Sequence, residues 1–199
     1  MELDLYTAPS SEPVTLTEAK LQCREVTTDN DTYLTALIVA ARDYVERHTG
    51  RALMPQTWDV RYDSQWPTER VQGAEIPRII VPRPPLTSVT SIKYLDASGV
   101  EQTLAADQYR VDTKRFRGVI DPAYGVTWPT VYPVVGAITV RFVAGYANAA
   151  AVPASIRHAM LLLIGHWFAN RETVVIGTLN TPLTFAVEEL LFPHRVFYG

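Results

Sequence analysis

Residues 156–167 read Ile156-Arg-His-Ala-Met-Leu-Leu-Leu-Ile-Gly-His-Trp167 and contain the most apolar run of the chain. Apolar residues at spacings of three and four predict a helix over residues 154–170, and Pro153 is well placed for its first turn. Leu161 and Leu162 add a second apolar face, so we expect this helix to be packed on more than one side. A membrane span needs ~20 apolar residues, which favours a buried core helix over an anchor.

Two further helices are predicted nearer the N-terminus. Thr15 and Glu18 have the spacing of a capping box and open a short helix over residues 16–25. The next helix covers residues 31–47, where apolar residues recur on one face, and Gly50 is its natural C-terminal stop. Neither end of the chain can bury its apolar stripe alone. We therefore expect the three helices to share a core that contains Leu37, Ile38, Ala41, Met160, Leu163, Ile164 and Trp167.

The segment between these helices, residues 55–145, has the pattern of an antiparallel β region. Trp58, Val60 and Tyr62 alternate with polar residues, which predicts a half-buried strand over residues 56–63. The connection Asp96-Ala-Ser-Gly99 predicts a hairpin between two further strands. Residues 75–81 are expected to form a strand that is broken by Pro77 and therefore lies at a sheet edge. The other expected strands are residues 88–95, 100–104, 109–112, 118–120 and 137–144, and residues 64–73 are expected to form a loop.

The C-terminal residues are unusually apolar for a chain end. Thr184 is expected to cap a last short helix that continues to about Leu191, and Pro193 to stop it. Termini are usually polar and frayed unless they are tied down, and aromatic anchors are typical of interfaces. Two interpretations stay open: the tail binds another protein chain, or it folds back on its own core. Under the first, the binding residues are Leu191, Phe192, Phe197 and Tyr198.

The composition is ordinary for a globular protein, and the charge is slightly negative. Of 199 residues, 47% are hydrophobic and 20% charged, and 18 Lys and Arg against 21 Asp and Glu give a net charge of −3. A sequence-independent nucleic-acid binder needs a clustered basic surface, so this balance argues against tight DNA binding. The densest basic stretch contains Arg110, Lys114, Arg115 and Arg117.

Catalytic and metal-binding signatures are missing from the sequence. It has no Gly-rich phosphate loop, no paired Cys, no His-Glu-x-x-His and no Gly-x-Ser-x-Gly. His158 and His166 share a helix but lie about 12 Å apart along its axis, too far for one metal ion. Cys23 is the single cysteine and is expected to be a small buried hydrophobe. The acidic N-terminus gives no sign of a signal peptide. We expect no catalytic residues, no bound metal and no cofactor.

Several short motifs, taken in order, carry a resemblance to a known family. They are the run at residues 156–167 together with Leu16-Thr-Glu-Ala-Lys20, Val45-Glu-Arg-His-Thr-Gly-Arg51, Gln56-Thr-Trp58, Pro82-Arg-Pro-Pro-Leu-Thr-Ser-Val89, Ser91-Ile-Lys-Tyr-Leu-Asp96, Ala144-Gly-Tyr146 and Asn170-Arg-Glu172. In this order and spacing, over roughly residues 14–191, the chain resembles the head–tail connector (adaptor) family of tailed bacteriophages and prophages.

The residues and the resemblance together predict an α+β fold. A helical bundle is formed by the N- and C-terminal helices, with an inserted antiparallel β region. We expect one connector domain over residues 1–199. Its parts are a helical hairpin at 14–51, the β region at 55–145, C-terminal helices at 153–192 and a tail at 193–199.

The resemblance implies a structural protein rather than an enzyme. Such proteins form a ring of subunits, commonly twelve, beneath the portal protein and extend the DNA channel towards the tail or stopper protein. Packaged DNA passes through without tight binding. The implied location is the head–tail interface of the virion, with the host cytoplasm during assembly and no membrane.

Two interpretations of particular surfaces follow from the resemblance. The C-terminal binding residues would meet the portal or a neighbouring subunit. The basic residues Arg110, Lys114, Arg115 and Arg117 form either a solvated loop or a channel-facing or intersubunit loop. The alternative function is a β-rich carbohydrate- or peptide-binding module on a helical base, with loop aromatics such as Trp66 and Trp128 meeting the ligand.

Overall fold

The computed structural model describes residues 1–171 and 182–197. The chain divides into two compact units. The β unit consists of Met1–Ser10 and Pro55–Gly145, and the helical unit of Ser11–Met54 and Tyr146–Gly199. Helices from both ends of the chain and antiparallel sheets between them confirm the predicted α+β class.

The helical unit contains α1 (Leu16–Cys23), α2 (Asp31–Thr49), α3 (Ala154–Ala169) and α4 (Pro182–Leu191). The predicted capping box opens α1, since the Glu18 carboxylate accepts from the Thr15 backbone N–H at 2.8 Å and the Thr15 hydroxyl accepts from the Glu18 N–H at 3.2 Å. Gly50 ends α2 with a φ of 71°, a left-handed conformation that favours glycine. Helix α4 begins at Pro182 rather than after the expected cap Thr184, because proline is compatible with a first helical turn.

The helices of this unit share one hydrophobic core, as predicted. Apolar residues of α1, α2, α3 and α4 meet in a single cluster, and Trp167 is half-buried against it. The predicted core residues that are buried in this cluster are Leu37, Ile38, Ala41, Met160, Leu163 and Ile164. The helical hairpin and α3 therefore bury their apolar stripes against each other.

The β unit is built from short antiparallel strands. In chain order they are β1 (Glu2–Thr7), β2 (Gln56–Tyr62), β3 (Thr68–Val71), β4 (Ala74–Pro77), β5 (Ile79–Ile80), β6 (Leu86–Leu95), β7 (Glu101–Thr103), β8 (Tyr109–Asp112), β9 (Val119–Pro122) and β10 (Ile138–Ala144). A five-stranded sheet has the order β1-β2-β10-β6-β7, a three-stranded sheet has the order β5-β9-β8, and β3 pairs with β4. The predicted hairpin is confirmed as β6 and β7.

The structure differs from the sequence-based expectations for this unit in three places. Residues 2–7 had no predicted strand, yet β1 pairs along β2 at the edge of the large sheet. Residues 64–73 were expected to be a loop, but Thr68–Val71 forms β3 because it pairs with β4. The expected strand 75–81 is divided at Arg78 into β4 and β5, which belong to different sheets. In each case the pairing with another strand determines where the segment forms a strand.

A buried ion pair links the first strands of the large sheet. Arg141 on β10 lies opposite Asp59 on β2, and its Nε and Nη2 donate to the two Asp59 oxygens at 2.8 and 2.7 Å. The Tyr6 ring of β1 lies 3.4 Å from the Arg141 guanidinium carbon. Asp59 is the buried member of this pair and Arg141 is half-buried. A buried carboxylate is costly unless it is paired, so Arg141 stabilises Asp59 at this position of the sheet.

Close contacts connect the smaller sheets of the β unit to the large sheet and to each other. Gly118, just before β9, faces Leu86 of β6 so closely that an added Cβ would lie 2.3 Å from the leucine Cδ2. Arg78, between β4 and β5, donates from Nε to Asp121 at 2.8 Å and from Nη1 to Glu69 at 3.0 Å. These contacts place Glu69 of β3 beside β5 and β9, where a cleft opens.

Candidate interaction surfaces

The described residues contain no group of three or more His, Cys, Asp or Glu side chains that could hold a metal ion. His158 is exposed and His166 half-buried on α3. Among residues 1–171 and 182–197, no helix combines the length and apolar character needed to cross a bilayer. Cys23 packs half-buried against the helical core, and burial, followed by the nearby Glu25 charge, raises the pKa of its thiol.

Four aspartates of the β unit have structural partners. Asp59 pairs with Arg141 and Asp121 with Arg78. Asp63 accepts from the Gly136 backbone N–H at 3.0 Å. The Asp96 carboxylate accepts from the Gln102 side chain and from two backbone N–H groups of its own hairpin turn, and these hydrogen bonds lower its pKa. These carboxylates stabilise turns and strands through ion pairs and hydrogen bonds.

The C-terminal end of the helical unit presents an aromatic surface. Phe192 and Phe197 are 60% and 66% exposed, and their ring centroids lie 6.5 Å apart in an edge-on arrangement. The Arg195 guanidinium lies 5.5 Å from the Phe197 ring centroid. Beside them is a shallow pocket of about 170 Å³ whose lining includes Glu188 and Glu189. We call the surface of Glu188, Glu189, Phe192, Arg195 and Phe197 the C-terminal knob.

The backbone beneath the C-terminal knob is fastened to its own helical unit. Leu191, a predicted binding residue, is fully buried in the helical core and supports the knob from below. Val196 is buried, and its N–H donates to the Thr49 carbonyl at 2.8 Å. The Arg51 Nε donates to the His194 carbonyl at 2.6 Å. The tail thus folds back through its backbone and Val196, while Phe192 and Phe197 stay exposed. Tyr198 lies outside the described residues.

The His194 side chain also connects the tail to the helical unit. Its Nε2 lies 2.7 Å from the Ser155 hydroxyl at the start of α3. Burial, followed by the positive charge of Arg51, lowers the pKa of His194, so the neutral imidazole is favoured in the fold. Sequence reasoning missed this role because Ser155 and His194 are joined only by the packing of the tail.

The predicted basic stretch is divided by the structure. Arg115 and Arg117 line an open cleft of about 330 Å³ in the β unit, whose other lining residues are Glu69, Ile80, Phe116 and Val119. Phe116 is 58% exposed, and Arg115 also pairs with Asp112 at 3.2 Å. Arg110 and Lys114 are exposed on β8 and just after it. The cleft itself is lined by Glu69, Ile80, Arg115, Phe116, Arg117 and Val119, and we call it the loop cleft. The sequence pointed to its arginines but not to Phe116 between them.

The aromatic residues considered for ligand binding are packed on each other. The rings of Trp66 and Trp128 are stacked with centroids 4.6 Å apart and an angle of 13°. The Trp66 indole N–H donates to the Pro129 carbonyl at 2.7 Å and that of Trp128 to the Pro77 carbonyl at 3.2 Å. Each indole covers one face of the other, which makes this pair a packing element of the β unit.

A family model described as head completion protein matches residues 14–193. The chain belongs to the head completion protein family. This match confirms the resemblance to head–tail connectors that the sequence motifs carry. No curated protein matches the chain.

Solved structures share the fold of this member of the head completion protein family. They include chains from the neck of an empty GTA particle computed with C6 symmetry, with a TM-score of 0.77, and from the virion of the native gene transfer agent (GTA) particle, with 0.76. A chain from the neck of a native GTA particle computed with C12 symmetry gives 0.67. Each is 24% identical, and the alignments cover 100% of this chain and 97% of the solved one.

The match to the head completion protein family includes the loop cleft and most of the C-terminal knob. Residues 14–193 contain Phe116, Arg117 and Phe192 but end before Arg195 and Phe197. The whole β1 strand also lies outside the match, although the structural alignments extend over the whole chain.

Proposed function

We propose that this protein is a structural head–tail connector of a tailed phage or prophage, in which residues 1–199 act as one connector subunit. About twelve subunits form a ring beneath the portal protein and extend the DNA channel towards the tail or stopper protein. The observation that carries this proposal is the family match over residues 14–193. Its place is the head–tail interface of the virion.

The structural neighbours support a ring. Two of them come from particle necks computed with C6 and C12 symmetry. Closed rings with rotational symmetry need a contact between two different surfaces of the same subunit. The loop cleft and the C-terminal knob offer two surfaces with large exposed aromatic side chains. Exposed aromatic side chains do not stabilise a monomer, whereas a partner that covers them removes their apolar surface from water.

The charge of the chain supports a channel through which DNA slides. Strong contacts between Lys or Arg and phosphates would hold packaged DNA in place, and the chain has a net charge of −3. We propose no enzymatic step. Asp59 and Asp121 of the β unit are engaged in ion pairs, and the family is one of head completion.

Electron microscopy tests the ring. The purified protein is imaged in negative stain alone and after mixing with a portal protein of the same particle, and the portal alone is the control. We expect closed rings with a central hole, either free or seated on the portal. Light scattering over a range of concentrations gives the mass of the free species. A protein that stays monomeric in both samples and does not bind the portal would overturn the proposal.

A further inference from the structure

We infer that the loop cleft of one subunit receives the C-terminal knob of the next copy, an inference that rests on the proposed ring. The loop cleft is concave and carries Arg115 and Arg117 around the exposed Phe116. The C-terminal knob projects Phe192 and Phe197 beside Glu188 and Glu189. The two surfaces therefore match in apolar character and are opposite in charge.

The loop cleft has the chemistry of a receiving site for an aromatic and acidic segment. Its volume of about 330 Å³ is at the lower end of the ~300–1,000 Å³ typical of binding pockets, which suits one or two large side chains. Ile80 and Val119 form apolar walls, and Phe116 offers a ring at the rim. The cleft lining holds Arg115 and Arg117 against one acidic residue, Glu69, which is paired with Arg78, so the lining carries a positive charge. Such a site favours carboxylates near an aromatic anchor.

The C-terminal knob has the complementary chemistry. Its two phenylalanines are held on a fastened backbone, so little conformational entropy is lost when they are covered. Glu188 and Glu189 lie in the pocket lining beside Phe192, and both are exposed. Arg195 stands over Phe197 and, with His48, lines the same pocket as the two carboxylates. An aromatic anchor beside two carboxylates matches the arginines of the loop cleft.

A second copy of this chain is the occupant that this complementarity favours. The two surfaces belong to different units of the subunit, so their pairing between copies is heterologous. A heterologous contact repeats from copy to copy and produces a ring when the rotation closes, whereas an isologous contact stops at a dimer. The charged pairs would be exposed at the rim and the phenylalanines buried at the centre, which predicts a contact weakened by salt but not abolished by it.

Crosslinking between two differently tagged copies tests the contact. Both carry Cys23→Ser; one also carries Phe116→Cys, and the other Phe192→Cys. A short bismaleimide is added to the mixture, and the intermolecular product is quantified. Matched controls replace Phe192→Cys by Val26→Cys, at a residue of the helical unit that is 92% exposed, and Phe116→Cys by Tyr124→Cys, at a residue of the β unit that is 98% exposed. We expect severalfold more product from the Phe116–Phe192 combination than from either control.

Charge reversal tests the proposed pairing on the same crosslink. Arg115→Glu in the cleft copy should lower the yield severalfold, and Glu188→Lys with Glu189→Lys in the knob copy should do the same. The two altered copies mixed together should recover most of the yield, because the charges again have opposite sign. Circular dichroism of each variant verifies that it is folded. If the two charge-reversed copies, mixed together, do not recover the crosslink yield, the inference would be overturned. A yield equal to that of the controls would also overturn it.

The outcomes separate this contact from the proposed function. Rings in the microscope without an excess of the Phe116–Phe192 crosslink would mean that the ring uses other surfaces. Crosslinking of the Phe192→Cys copy to the portal but not to the Phe116→Cys copy would also overturn the inference. An excess of the crosslink without rings, free or on the portal, would instead count against the ring while the contact itself stands.

Discussion

The buried Glu46 carboxylate accepts a hydrogen bond through Oε1 from the backbone N–H of Leu53 at 2.7 Å. Its other oxygen, Oε2, pairs with Arg42 Nη1 at 3.1 Å, and Arg42 Nε in turn donates to Glu12 at 2.8 Å. One side chain of α2 thereby fastens the segment that leaves the helix after Gly50.

Replacement of Glu46 should weaken the helical unit. Glu46→Ala leaves the Leu53 N–H without its carboxylate acceptor and Arg42 with one fewer partner, at a cost of ~1–3 kcal/mol in the free energy of unfolding. Urea denaturation measures this loss. The matched control is Asp43→Ala, which breaks an exposed i,i+4 pair with Arg47 and should cost less than ~0.5 kcal/mol. Equal losses for the two variants would contradict the fastening role of Glu46.

Leu163 should be one of the costly positions of the helical core. It is buried on α3 within the cluster that joins α2, α3 and α4. Leu163→Ala removes buried methyl groups and leaves a cavity, so we expect the free energy of unfolding to fall by ~2–5 kcal/mol. Val39→Ala, at an exposed position of α2, is the control and should change stability by less than ~0.5 kcal/mol. A loss of that small size for Leu163→Ala would show that the helices do not share this core.

The pH dependence of stability should contain a contribution from His194. Its pKa in the fold lies below the ordinary 6.5, because burial and then the charge of Arg51 disfavour the imidazolium. The unfolded chain therefore takes up this proton more readily. The stability that neutral His194 contributes is complete above pH 6.5 and is lost as the pH falls through the lowered pKa.

Comparison of variants isolates this contribution. Between about pH 7.5 and about pH 5, the wild-type protein should lose more stability than His194→Gln, which carries no titrating group at this position. His158→Gln is the control, because His158 is exposed, and should follow the wild type. Chemical denaturation at several pH values gives the curves. Parallel curves for wild type and His194→Gln would contradict the predicted linkage.

The helices could be predicted because their signals are local. The capping pair Thr15 and Glu18, the stop at Gly50 and the apolar run of α3 each lie within a few turns of one helix. The strand β1 could not be predicted in the same way. Its neighbours in the sheet are residues 57–61, more than fifty positions along the chain, and Leu5 and Tyr6 remain exposed at the edge.

The candidate surfaces were predictable in part for a related reason. A basic stretch and an apolar tail are visible as composition, but which side chains stay outside depends on packing. Leu191 and Phe192 are adjacent and equally apolar, yet the helix buries the first in the core and leaves the second exposed. Phe116 gains its role because β5 and β9 bring Ile80 and Val119 beside it, which no local pattern encodes.

The tail residues Val196 and Phe197 should respond differently to truncation of their side chains. Val196 is buried and its backbone is bonded to Thr49, so Val196→Ala should cost ~1–2 kcal/mol in the free energy of unfolding. Phe197 is mostly exposed, so Phe197→Ala should stay within ~0.5 kcal/mol of the wild type. Thermal and urea unfolding of both variants measure the difference. A large loss from Phe197→Ala would mean that its ring is part of the core rather than of the knob.

Binding of the free subunit to duplex DNA should be weak. Every phosphate contact needs a cation, and the chain has a net charge of −3. Fluorescence anisotropy with a random duplex at about 0.15 M salt should give a dissociation constant weaker than ~1 µM. Arg115→Glu, the matched variant, should leave this weak binding almost unchanged, because the proposed role of Arg115 is towards a neighbouring subunit. Submicromolar, salt-sensitive affinity that Arg115→Glu abolishes would instead assign the basic stretch to DNA.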